Sequence, residues 1–151
     1  MNVNLEIKPM NGLGELSFGM VAEDVIKIAG PAEEIEKIDD DQVKTTIWHY
    51  WTKGLSLFFD EENNLKLSSI EVDNTNATIF GKSAFEMNES EITELMKSNG
   101  FNEIDAEEQE WGEKRVSFDD AMVDFYFEED ELVSINYSVF LNEFEIAVWP
   151  N

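Results

Sequence analysis

The sequence predicts an α+β fold: two tandem repeats, each a short helix packed on three to four antiparallel strands, the two copies forming one extended sheet. Three observations carry this expectation. The stretch "LSLFFDEENNLKLSSIEV", Leu55 to Val72, is answered later by "VDFYFEEDELVSINYSV", Val123 to Val139. Each is preceded by Phe-x-Met, an acidic amphipathic segment and a glycine, beginning at Phe18 and again at Phe85. Of the 151 residues, 42% are hydrophobic and 12% aromatic, which is enough for one core of ordinary size and too little for two large domains. A single domain over 1–151 follows, with internal repeats at about 14–78 and 81–147.

The elements follow from local pattern. At the amino terminus Val3, Leu5 and Ile7 alternate with polar residues, as in a strand. In "SFGMVAEDVIKIAGP" Val25, Ile28 and Ala29 share one side of a helix that Gly30 and Pro31 end; Val21 offers it no side-chain cap. The second helix is better specified, with Asn88 as N-cap, Glu91 three places on, Ile92, Leu95 and Met96 on the apolar side, and Asn99 and Gly100 as the stop. An acidic segment follows each helix, and then a tryptophan strand, around Trp48 and around Trp111.

Two hairpin strands complete each copy. Leu55, Leu57 and Phe59 alternate before a turn in "DEENN", and Ile70 and Val72 share a face on the return. In the second copy Val123, Phe125 and Phe127 share a face, "EED" turns, and Val133, Ile135 and Tyr137 return. The stretch "EVDNTNATIFGK" reads as the joint between copies. "FEIAVWP" reads as an added edge strand, with Phe144, Ile146 and Val148 alternating until Pro150.

Charge narrows the function classes. Against 34 Asp and Glu stand 10 Lys and Arg, a formal charge of -24. Such a field repels nucleic acid and anionic membrane and attracts basic proteins, so neither direct nucleic-acid nor membrane binding is expected. Zero cysteines remove disulfides and thiol chemistry. With no signal-like amino terminus and no apolar run near the roughly 18 residues of a spanning helix, the expected location is cytoplasmic.

Catalytic patterns are sparse. The one histidine, His49 in "IWHYW", reads as a packing residue among aromatics, and without cysteine it makes no ordinary zinc site. Acidic runs at Asp39, Asp40 and Asp41 or at Glu128, Glu129 and Asp130 lack the spaced ligands and central glycine of an EF-hand. In "DEENNLKLSSIE" Leu65 stands where that glycine would be, so these runs read as solvated turns rather than calcium sites. "NGLGE" lacks the lysine of a phosphate loop. No catalytic residue, metal or cofactor is assigned, and the chain is read as no enzyme.

The segment "GMVAEDVIKIAGP", Gly19 to Pro31, resembles the helix-opening motif of the outer-membrane assembly lipoproteins and of the β-lactamase inhibitory protein family. That resemblance implies a tandem repeat of helices on antiparallel sheet and a sheet surface offered to a protein target. By size, acidity and expected location the chain also resembles, in type, bacterial toxin immunity proteins.

The expected function is therefore that of an acidic cytosolic inhibitor which covers the active site of a basic toxin, such as a nuclease. Its partner-binding residues would be Asp39, Asp40, Asp41, Asp60, Glu61, Glu62, Glu107, Glu108, Glu110, Glu128, Glu129 and Asp130 for steering, with Trp51 and Tyr126 as desolvated anchors. Because the turns correspond between copies, their acids are expected along one edge. Two alternatives share the composition: a mimic of DNA charge that blocks host nucleases, and a structural module that pairs with a second copy.

Overall fold

A computed structural model describes residues 4–39, 44–61, 65–109, 112–142 and 147–150. The chain runs β1 (Glu6–Lys8), β2 (Gly12–Leu13), β3 (Leu16–Ser17), α1 (Ala22–Ala29), β4 (Glu34–Asp39), β5 (Lys44–Tyr50), β6 (Leu55–Asp60) and β7 (Lys66–Val72). It continues through β8 (Thr78–Ile79), β9 (Lys82–Ser83), α2 (Glu89–Ser98), β10 (Ile104–Glu108), β11 (Glu113–Phe118), β12 (Val123–Glu128), β13 (Glu131–Ser138), β14 (Phe140–Leu141) and β15 (Ala147–Val148). Short 3-10 turns lie at Trp51–Lys53 and Ala84–Glu86.

The expected architecture needs correction. Strand outweighs helix, and the described strands form three sheets rather than one extended sheet built by two helix-plus-strand copies. An eight-stranded antiparallel sheet has the order β10-β11-β12-β13-β7-β6-β5-β4, a five-stranded sheet the order β3-β2-β1-β8-β9, and β14 with β15 makes a third. The supposed joint is the reason. Its residues supply β8 and β9, and β8 pairs in parallel with β1 through Glu6↔Thr78 and Ile7↔Ile79. Ala77 and Ile79 are fully buried, so this stretch is core and not linker. The acidic segments after the helices also become strands, β4 and β10, whose backbones pair with β5 and β11 while their charges face water. The strand expected near Val148 pairs with Phe140–Leu141 instead of joining the large sheet, and Phe144 and Ile146 lie outside the described residues.

Alternation sorts the large sheet into two faces. One carries Leu57, Phe59, Leu67, Ile70, Val116, Phe125, Phe127, Ile135 and Tyr137, all in the main core cluster with the buried sides of both helices and the five-stranded sheet. Full burial of Phe59, Phe125 and Phe127 stabilises the fold by about 1.5–3 kcal/mol each. Helix α1 buries Val25 and Ala29 but has no side-chain cap, whereas Asn88 and Glu91 cap α2 reciprocally. Buried tyrosines lock the layers: Tyr50 donates its hydroxyl to the Gly30 carbonyl at 2.8 Å, and Tyr137 donates to that of Gly12 at 2.9 Å. Gly12 has φ 149°, and a Cβ there would stand 1.9 Å from the Leu16 carbonyl oxygen, so only glycine fits beneath Tyr137.

Candidate functional site

The other face of the eight-stranded sheet contributes nothing to that core cluster, yet several of its residues are shielded from water. Ladder register lines up its polar side chains. Starting at one edge, Glu34 pairs with His49, His49 with Ser56, Ser56 with Glu71, Glu71 with Asn136, Asn136 with Asp124, Asp124 with Ser117, and Ser117 with Asp105. One row thus crosses all eight strands and is polar at every position. An ordinary solvated face would leave such side chains exposed, but His49, Ser56 and Ser117 are buried.

The row is hydrogen-bonded in two clusters. In the first, His49 Nδ1 lies 2.8 Å from Ser56 Oγ and its Nε2 lies 3.0 Å from Glu36 Oε1, while the Trp51 indole stacks on the imidazole at 4.1 Å. Trp51 Nε1 donates to Glu34 at 3.3 Å, and Thr52 donates through both backbone and hydroxyl to Glu33, whose pKa is lowered chiefly by that hydroxyl. Glu71, next in the row, has its pKa raised, first by burial and then by Asp73, with His49 opposing.

Arg115 organises the second cluster. Its guanidinium reaches Glu107 at 3.0 Å, Asp105 at 3.3 Å and the Ser117 hydroxyl, which in turn donates to Asp124. Glu107 is the largest cause of the raised Arg115 pKa. Tyr126 pairs with Arg115 across the ladder, and its own pKa is raised by burial and then by Asp124.

Ser56, His49 and Glu36 have the donor order of an acyl-transfer triad, but the local backbone argues against that chemistry. Ser56 sits mid-strand with β5 and β7 on either side, so its backbone amides belong to ladders and are not a converging pair that could hold an oxyanion. The cluster is better suited to holding charge in fixed positions. Among the described residues, no group of three or more His, Asp or Glu is arranged to hold a metal ion.

The residues singled out in the sequence are only partly gathered here. Tyr126 lies on the open face, Trp51 covers its His49 end, and Glu107 joins the Arg115 cluster. Asp39, Asp60 and Glu61 lie at one end of the strands, where Glu61 accepts from Thr46 at 3.1 Å. Glu108, Glu128, Glu129 and Asp130 lie at the opposite end. The expectation of one acidic edge is therefore corrected, because β7 and β13 meet antiparallel and point the two sets of turns in opposite directions. Asp40, Asp41, Glu62 and Glu110 lie outside the described residues. Sequence reasoning missed His49, Ser56, Glu71, Ser117 and Asp124. Their shared signal was a polar residue at an alternating position in each strand, and only the register aligns them.

No protein-family model matches the chain, and no curated protein sequence matches it. Two solved structures align with it. An extracellular protein containing an SCP domain from Bacillus anthracis str. Ames aligns with a TM-score of 0.53 and 14% identity, over 88% of this chain and 47% of its own. A DUF4309 family protein (YjgB) from Bacillus subtilis aligns with a TM-score of 0.49 and 14% identity, over 90% of this chain and 88% of its own. The chain spans about half the length of the first, and at such identity that likeness concerns the fold alone. The second is too loose to carry an argument. Among the described residues, no helix is long and apolar enough to cross a membrane.

Proposed function

We propose that this chain is an acidic binding protein that covers a basic protein partner with the open face and flanking acids of its eight-stranded sheet. The observation that carries the reading is the polar row from Glu34 to Asp105, partly shielded yet free of the core, on a chain of formal charge -24. Fixed acids on a preformed sheet steer a basic partner and lose little entropy on contact. Trp51 and Tyr126 supply the amphipathic rings that anchor such interfaces. In its specific form the partner is a toxin whose phosphate-binding site, as in a nuclease, presents the complementary charge. The protein then works in the cytoplasm as an immunity-type inhibitor, without turnover.

The test is capture of basic proteins from the source cell on the immobilised chain, with elution by a salt gradient. One basic protein, retained late and non-toxic only when this chain is co-expressed, is the expected result. Retention that is lost in a Trp51→Ala, Tyr126→Ala double variant would assign the face. A broad set of DNA-binding proteins, all displaced by added DNA, would replace the reading with charge mimicry.

A further inference from the structure

The large sheet ends in two strands, β4 and β10, every residue of which is exposed. An edge strand presents unpaired N–H and C=O groups at alternate residues and is a template for another strand unless something blunts it. The two edges differ in how their charge is used. On β10, Asp105 and Glu107 are both engaged by Arg115. On β4, Glu36 bonds the His49 imidazole and Glu34 the neutral Trp51 indole. Among the described residues neither of these carboxylates has a Lys or Arg within ion-pair distance. Lys53, the cation that helps lower the Glu33 pKa, spends its ammonium on the Ala29 carbonyl at 2.9 Å.

Apolar exposure also favours β4. Ile35 is 57% exposed and Ile38 39%, and Trp51 beside the start of the strand is 57% exposed. The other edge, β10, exposes one isoleucine, Ile104 at 39%, against two on β4 with Trp51 beside them. Alternation puts Glu34, Glu36 and Ile38 toward the open face and Ile35, Lys37 and Asp39 toward the other. A strand laid along this edge would meet Glu34, Glu36 and Ile38 on one side and Ile35, Lys37 and Asp39 on the other, so its cations belong on the first side, away from Lys37.

We propose that β4 is a docking edge for an extended basic segment of the partner protein, which adds a ninth strand to the sheet, with cationic side chains over Glu34 and Glu36 and an apolar one against Ile35. The inference rests on the proposed basic partner and specifies how that partner is held. Self-pairing is disfavoured, because a second copy brings another acidic edge to an acidic edge. A basic strand answers both the charge and the backbone groups.

The probe is a ten-residue peptide of alternating lysine and valine, compared with the same peptide N-methylated at every residue, neither of whose strand edges can donate a backbone N–H. Hydrogen exchange should find the parent peptide protecting amides within 34–39 and leaving 104–108 unchanged. The methylated peptide should bind about tenfold or more weakly, the loss expected from a few missing backbone hydrogen bonds. Glu34→Gln with Glu36→Gln should weaken the parent peptide and flatten its salt dependence. Protection at 104–108 instead, no protection at 34–39, or protection at 34–39 by dimerisation without peptide would each overturn the inference. If both peptides bind equally and both weaken with salt, the acidic surface still attracts base and only the edge docking fails. Binding by both that ignores salt removes the electrostatic reading and the edge docking together.

Discussion

The imidazole of His49 lies flat against the indole of Trp51, with ring centroids 4.1 Å apart and planes 9° from parallel. This pair closes one end of the polar row, since the imidazole is pinned on its edge by Glu36 and Ser56 while Trp51 as a whole is 57% exposed. A large, preorganised and exposed ring above fixed acids has the features of an interface anchor. Trp51→Ala should leave the unfolding temperature within a few degrees of wild type and weaken partner binding by about tenfold or more, readable by calorimetry of both processes.

Glu71 gives the fold a pH dependence of known sign. Its folded pKa is raised by burial, so the native state holds the proton more tightly than the unfolded chain does. Stability from this group is present below the unfolded carboxyl pKa and is lost as pH rises through the folded one. Glu71→Gln should therefore raise the unfolding temperature at pH 7 and have less effect at acid pH. An equal effect at both would remove burial of the charge as the cause.

Tyr137 bridges the two larger sheets through one buried hydrogen bond to the Gly12 carbonyl. Tyr137→Phe keeps the ring, including its edge contact with Phe18 at 5.8 Å, and removes one hydrogen bond from a residue that keeps its place in the β1–β2 ladder. The expected loss is about 0.5–1.5 kcal/mol in denaturant unfolding. Gly12→Ala should cost more, because its Cβ collides with backbone rather than with a movable side chain.

The turn between β12 and β13 places Glu129 and Asp130 at φ 51° and 67°, the conformation of a two-residue hairpin that favours Asn-Gly. Asp130 also accepts from the Glu89 backbone at the start of α2, so it has a second role. Glu129 is exposed, and Glu129→Asn should stabilise the protein by about 0.5–1 kcal/mol, measured as a shift in the denaturation midpoint at constant slope.

Much of the local structure was legible in the sequence. Asn88 and Glu91 announced the cap of α2, and Phe59, Phe125 and Phe127 announced the core by alternation. The sheet plan was not, because parallel pairing of β1 with β8 joins residues about seventy positions apart, and nothing local encodes it. The site was hidden for a related reason. Ser56, Glu71, Asp124 and Ser117 look like ordinary outward residues one strand at a time, and they become a row only when eight registers are known. In the sequence His49 reads as a packing residue because its partners Glu36 and Ser56 lie on neighbouring strands.

Attraction of a basic partner by the fixed acids of the open face is read from the association rate of the captured partner at rising ionic strength. The wild-type chain is compared with one in which Glu34, Glu36 and Asp124 are replaced by their amides. The wild-type rate should fall steeply with salt, and the variant should be slower at low salt with a flatter slope. Equal rates with equal slopes would contradict it, and would move the recognition surface away from this face.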